Sequence, residues 1–170
     1  MSLAANLQSF VPSIEKRGNF IRDSWDRLTK VPGGAALFSR LVGVAAPYTG
    51  SMGARVVELR RGFARAELPD RRRVRNHLDC IHAIALANVA ELTGNVAVAY
   101  SLPDDARFIV AGMSIDYLKK ARGTITATAT CPFFTGSAKE EYEIEVSLKD
   151  RKGEEVAHAV LRTLVGPKKG

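Results

Sequence analysis

The sequence has few residues of the kinds that bind metals or form disulfides. Only two of its 170 residues are cysteine, and three are histidine. Cys80 and Cys131 lie in apolar surroundings, which is typical of small core residues rather than of a disulfide framework. No group of His, Cys and carboxylate residues has the spacing of metal ligands. We therefore expect no metal and no cofactor of the protein's own.

A secretory leader, a membrane-spanning run and a Gly-rich phosphate loop are also missing. The N-terminus has no basic segment followed by an apolar run, and the apolar stretch 35–48 is short and interrupted by Arg40. We expect a cytoplasmic protein without a membrane span. The net charge of +7 fits anionic partners, but the basic residues are scattered and only 7% of residues are aromatic. These features do not favour nucleic-acid binding.

The first third of the chain has the pattern of short helices. Apolar residues recur at helical spacing, and Pro32-Gly33-Gly34 breaks the pattern. Helices are expected at residues 1–11, 20–28 and 35–45, with a turn at 49–51.

Strand patterns occur on both sides of the middle of the chain. From Met52 the period changes to two, and Arg61-Gly62 divides two alternating runs, which predicts a hairpin. Four later segments also alternate, and short loops make such strands antiparallel neighbours. A four-strand meander is therefore expected from residues 108–119, 124–131, 142–148 and 155–165.

The stretch 75–100 contains the longest apolar run and predicts a helix that begins near His82, with Asp79 as its cap. Asn88, Glu91 and Asn95 fall on one stripe of this helix. A helix that is apolar almost all round is buried on most sides, and a carboxylate on such a helix costs free energy unless it is paired or hydrogen-bonded. Glu91 either serves chemistry or forms a structural pair at a subunit interface.

A single sheet must cover its apolar face, and this helix is the only element apolar enough to do so. The sequence therefore predicts an α+β fold in which an antiparallel sheet curls around one long central helix. We expect one domain over residues 1–170, with a helical N-terminal segment at 1–48 and a core at 50–166.

This order of elements resembles the hotdog fold, and one segment resembles the signature of phenylacetyl-CoA-type acyl-CoA thioesterases. In that family an Asn lies in the loop, a His-Gly-Gly begins the helix, and a carboxylate follows the His by nine residues. Asn76, His82 and Glu91 match this pattern, and residues 115–121 resemble the next strand. The resemblance covers residues 50–165. The helical N-terminal segment is similar to a less characterised branch of the same superfamily.

The resemblance implies an enzyme, an acyl-CoA thioesterase that acts on an acyl- or aryl-CoA. Glu91 would be the base or nucleophile, Asn76 would orient the water or the carbonyl, and His82 would orient or cap. Backbone N–H groups at Ala83 and Ile84 would stabilise the oxyanion. The site would lie where one subunit's central helix meets its partner's loop, in a homodimer or a dimer of dimers. Coenzyme A would enter only as part of the substrate.

Further residues are expected to contact the substrate. Arg and Lys are suited to the phosphates of coenzyme A, although each basic residue can equally be solvated surface charge. Ser114 lies on the same side of its strand as Val110 by parity, and Val110 aligns with a hydroxyl residue of the family. The expected substrate-binding residues are Asn88, Ser114, Arg73, Arg75, Lys119, Lys120 and Arg122.

Two differences from the family pattern keep a second function open. Ala83 and Ile84 replace the Gly-Gly pair, and their side chains narrow the approach to the backbone. The family's hydroxyl position is Val110 here. The alternative is a hotdog protein that binds acyl-CoA or acyl groups without catalysis. A dehydratase or hydratase would need a different His-carboxylate motif, which the sequence lacks.

Overall fold

The computed structural model describes residues 18–168, so the helix predicted for residues 1–11 lies outside the described residues. Among the described residues, three helices come first: α1 (Phe20–Leu28), α2 (Gly34–Ala45) and α3 (Pro47–Met52). The first two confirm the helical spacing seen in the sequence. The turn predicted at 49–51 was wrong, because Pro47 at the first helical turn starts α3, and a missing N–H costs nothing there.

Six antiparallel strands form one sheet, and a long helix lies between the second and the third. The strands are β1 (Arg55–Arg60), β2 (Phe63–Leu68), β3 (Ala106–Tyr117), β4 (Ile125–Thr130), β5 (Glu140–Lys149) and β6 (Glu155–Pro167), and the helix is α4 (Ala83–Ser101). The β1–β2 hairpin confirms the prediction, and α4 begins within one residue of the expected start.

The strand order is β1-β2-β4-β5-β6-β3. The predicted meander therefore holds only for β4, β5 and β6. β3 pairs with β6 at the edge of the sheet, whereas β4 pairs with β2. This part of the prediction was wrong because a periodic pattern identifies a strand but not the strand that pairs with it.

α4 lies inside the curve of the sheet, as predicted, and most of its residues are buried. Gly94 permits the close packing, since a Cβ at this position would lie 2.8 Å from Leu161 Cδ2 on β6. By length and composition alone α4 is apolar enough to cross a membrane, but it is the core helix of this sheet.

β3 contains a bulge that decides which side chains face α4. Its pairing with β6 shifts register between Val110 and Gly112, and an extra residue moves the side chains that follow to the other face. Val110 pairs with buried Thr163 on the face towards α4, whereas Ser114 pairs with Val160 and is exposed on the opposite face. The expectation that Ser114 shares a face with Val110 was therefore wrong.

Candidate active site

A cleft of about 530 Å³ separates the N-terminal helices from the C-terminal half of α4. α1 and α2 form one wall, α4 forms the other, and the start of β3 closes one end. A cleft of this size and composition suits a largely apolar ligand group. Its apolar lining includes Phe20, Ile21, Phe38, Leu41, Val42, Leu92, Val96 and Phe108.

Glu91 lies on the α4 wall of this cleft, beside Asn95. Its side chain is exposed rather than buried, and it forms no ion pair or hydrogen bond with any residue in the range 18–168. A carboxylate therefore lies at a largely apolar cleft without an ion pair to any cation of the described residues, although Arg107 and Lys168 also line the cleft. Asn88, the third residue of the polar stripe, is buried and does not line the cleft.

The amide oxygens on either side of Glu91 lack partners. Asn88 Oδ1 and Asn95 Oδ1 are both buried, and neither accepts a hydrogen bond within the described part of the chain. A buried acceptor left unsatisfied costs about 1–3 kcal/mol. The stripe that carries the carboxylate therefore has unused hydrogen-bonding capacity on both sides.

The start of α4 is capped by its own histidine. His82 Nδ1 accepts a hydrogen bond from the Ile84 N–H at 3.1 Å. Asp79, the expected cap, has a positive φ of 52° and instead accepts a hydrogen bond from Arg75, so that expectation was wrong. Of the two predicted oxyanion donors, Ile84 N–H is occupied. The Ala83 N–H has no partner among residues 18–168.

The loop before α4 is held by short-range contacts. Asn76 Oδ1 accepts a hydrogen bond from the Leu78 N–H at 2.9 Å, as in an Asx turn, and the side-chain Nδ2 of Asn76 has no partner in the described ranges. Asp70 accepts hydrogen bonds from Arg75 at 2.6 Å and from the Gly123 N–H at 2.9 Å. The Arg75 guanidinium lowers the pKa of Asp70 below its usual value. The loop is therefore ordered before any ligand binds.

The basic residues predicted to hold phosphates differ in their partners. Arg75 is paired within the loop, and Lys119 donates to Asp150 at 3.0 Å and also pairs with Glu154. The hydrogen bond from Lys119 lowers the pKa of Asp150. Both cations are thus already neutralised by the fold. The predicted cations without an acidic partner in the described chain are Arg73, Lys120 and Arg122.

One subunit does not bring the predicted groups together. Ala83 and Glu91 are eight residues apart on α4, which corresponds to about 12 Å along the helix axis. Asn76 lies at the Ala83 end of the helix, and Ser114 lies on the outer face of the sheet. A carbonyl carbon touched by Glu91 therefore lies out of reach of the Ala83 N–H of the same chain.

The sequence did not reveal that α1 and α2 form a wall of the cleft. Asn19 joins α1 to the end of α4, since its Nδ2 donates to Ala99 O at 2.7 Å and to Leu102 O at 3.0 Å. Its Oδ1 accepts from the Arg22 N–H at 3.0 Å. One buried side chain thus caps the start of α1 and the end of α4. An Asn before a helical run is a cap signal, but its second contact has no local signal.

An antiparallel sheet wrapped around one central helix is the hotdog fold, and the chain is a member of the hotdog thioesterase superfamily. It is similar to the structural-genomics target APC5556, with 34% identity and a TM-score of 0.76 over 87% of this chain and 99% of that one. It is also similar to a Pseudomonas aeruginosa protein of unknown function described as a probable thioesterase. The identity is 25% and the TM-score 0.70, over 78% of this chain and 95% of that one.

A thioesterase from Haemophilus influenzae shares the fold at 16% identity, with a TM-score of 0.64 over 72% of this chain and 85% of that one. Within the superfamily, this chain belongs to the family described as a domain of unknown function, DUF4442, whose model matches residues 34–165. The match includes α2, which walls the cleft, and all of α4. No protein of curated function matches the sequence.

Proposed function

We propose that the protein is an acyl-CoA thioesterase that hydrolyses the thioester of an acyl- or aryl-CoA. The main support is Glu91, a carboxylate at an apolar cleft without a cationic partner in the described residues. A carboxylate in this setting can take a proton in the transition state, whereas one held by Arg or Lys is a poorer base. The apolar lining suits the acyl group.

In the proposed reaction, Glu91 takes a proton from a water molecule whose oxygen forms a bond to the thioester carbonyl carbon. The Ala83 N–H, at the positive end of the α4 dipole, donates to the oxyanion that develops. The C–S bond then breaks, and the sulfur leaves with a proton as the thiol of coenzyme A. In the alternative route, the carboxylate attacks the carbonyl itself and water hydrolyses the resulting anhydride.

A complete site needs a second subunit, because Glu91 and Ala83 of one chain lie about 12 Å apart along α4. We infer a homodimer in which Glu91 of one subunit faces the helix start and Asn76 of the other. The edge strand β3 supports this inference, since Ile109, Met113 and Tyr117 are large apolar residues left exposed on it. Exposed apolar edge strands are usually covered by a partner.

The test is hydrolysis of a panel of acyl-CoAs by the wild type and by Glu91→Gln. The substitution keeps the shape of the side chain but removes the base, so kcat should fall about 10²–10⁴-fold. Glu143→Gln is the matched control, because Glu143 is an exposed carboxylate on β5. Equal rates for Glu91→Gln and the wild type, on an acyl-CoA that the wild type hydrolyses, would exclude Glu91 from the mechanism.

The helix start favours one alternative, a protein that binds acyl-CoA without hydrolysing it. The Ile84 N–H is occupied by His82, so only one of the two predicted donors is open. Acyl-CoA would raise the thermal unfolding temperature of such a binder, because a ligand that binds only the folded state stabilises it. No free thiol would be released. Release of thiol at a rate that depends on Glu91 excludes this alternative.

A further inference from the structure

Two guanidinium groups converge at the C-terminal end of α3, next to the cleft. They belong to Arg71 and Arg73, which both approach Gly53, the residue that ends α3 with a φ of 69°. A Cβ on Gly53 would overlap Arg73 Nη2 and would lie 3.4 Å from Arg71 Nη1. The ends of the two cationic side chains therefore lie close together beside Gly53.

No anion of the described chain neutralises this pair. The guanidinium groups of Arg71 and Arg73 form no ion pair or hydrogen bond within residues 18–168, whereas that of Arg75, two residues further on, is held by Asp70 and Asp79. Like charges placed side by side repel each other, so an anion between them is favoured. The guanidinium fork matches the oxygen atoms of phosphate and can donate two hydrogen bonds to each group.

α3 links this pair to the cleft. Thr49, in the first turns of α3, lines the cleft, and Gly53 follows it by about 6 Å along the helix. A ligand whose apolar end occupies the cleft can therefore present an anionic end to Arg71 and Arg73. Arg72 lies between the two in sequence, but the three atoms nearest to a Cβ on Gly53 all belong to Arg71 and Arg73.

We propose that Arg71 and Arg73 form a phosphate site, and that its occupant is a phosphate at the nucleotide end of coenzyme A. The identity of the occupant rests on the proposed function, while the convergence of the two cations does not. Arg71 was not among the residues expected from sequence. Arg75 and Lys119, which were expected, are already neutralised within the fold.

The experiment is calorimetric titration of the full chain with adenosine 3′,5′-bisphosphate, a fragment that carries no thioester. Arg71→Gln and Arg73→Gln should each raise Kd about tenfold, since each removes charge-assisted hydrogen bonds. Arg72→Gln removes the same charge from the adjacent position and should leave Kd within about twofold of wild type, because exposed charges are screened. An equal loss in all three variants, or no loss in any, overturns the proposal.

A second variant tests the geometry without changing the charge. Gly53→Ala places a methyl group where Arg73 Nη2 lies, so it should weaken binding, but by less than Arg73→Gln, because the displaced side chain keeps its charge nearby. Its thermal unfolding shows whether the variant remains folded at a position with positive φ. If it does not fold, the two glutamine variants decide alone. Inorganic phosphate that binds as tightly as the nucleotide would overturn the assignment to coenzyme A.

Steady-state kinetics distinguish failure of the phosphate-site proposal from failure of the thioesterase proposal. Where acyl-CoA is hydrolysed, Arg71→Gln and Arg73→Gln should raise KM and leave kcat unchanged, and neither should affect an acyl-pantetheine substrate, which lacks the phosphates. Without any hydrolysis the thioesterase proposal fails, while the titration still decides the phosphate site. If both variants lower kcat on acyl-pantetheine, the two residues affect catalysis without contacting a phosphate, and the proposal is wrong.

Discussion

The Ala83 N–H is the first unsatisfied donor of α4 and the only predicted oxyanion donor that His82 leaves open. It lies at the positive end of the helix dipole, where developing negative charge is stabilised. The family pattern has glycine at this position. In this chain the methyl group of Ala83 narrows the path by which a ligand approaches the backbone, but the Ala83 N–H is still available to donate.

Ala83→Pro removes this donor while keeping the helix. Proline is favoured at the first helical position, and His82 already has the extended φ of −65° and ψ of 140° that a residue before proline adopts. We expect kcat on acyl-CoA to fall about 10²–10³-fold, with the thermal midpoint close to that of the wild type. Ala83→Gly, which keeps the N–H, should retain activity. Undiminished turnover by Ala83→Pro would mean that the oxyanion is stabilised elsewhere.

At the scale of elements, the contact between α1 and α4 fixes one wall of the cleft. Asn19 is the buried part of this contact, because its side chain is 7% exposed and bonds to backbone groups of both helices. Arg22, which donates to Leu102 O, and Tyr100, which donates to Asp26, add two further hydrogen bonds. Helix ends leave carbonyl groups unsatisfied, and the Asn19 amide satisfies two of those at the end of α4.

Asn19→Asp separates the two roles of this side chain. Aspartate caps α1 as well as asparagine does, but it cannot donate to Ala99 O and Leu102 O and places a carboxylate beside them. The free energy of unfolding, measured by chemical denaturation, should fall by about 2 kcal/mol. If Asn19→Asp is as stable as the wild type, the contact with α4 contributes nothing and only the cap of α1 matters.

Local patterns predicted most elements, although they misplaced the turn at 49–51 and the Asp79 cap, and long-range pairing accounts for the wrong strand order. Periodicity identified α1, α2, α4 and the β1–β2 hairpin, but it did not show that β3 pairs with β6. The bulge left a trace in the sequence, since the apolar positions of β3 change parity between Val110 and Met113. That step was not recognised, so Ser114 was assigned to the wrong face.

At the scale of the whole molecule, the spacing of His82 and Glu91 singled out Glu91, and the structure places this carboxylate at a cleft, while its catalytic role stays a prediction. The Ala83–Glu91 separation follows from the predicted helix, but the cleft was beyond the sequence, because the packing of α1 and α2 against α4 forms its walls. Because Ala83 and Glu91 of one chain lie far apart, the proposed chemistry depends on two chains. A symmetric dimer would supply both groups at each site.

The most direct test of this two-chain site is activity in a heterodimer of Ala83→Pro and Glu91→Gln subunits, co-expressed with different affinity tags and purified through both. Each parent homodimer should be inactive. In the heterodimer one site carries both changes and the other carries neither, so activity should return to about half that of the wild type. A heterodimer as inactive as its parents would contradict a site shared between subunits.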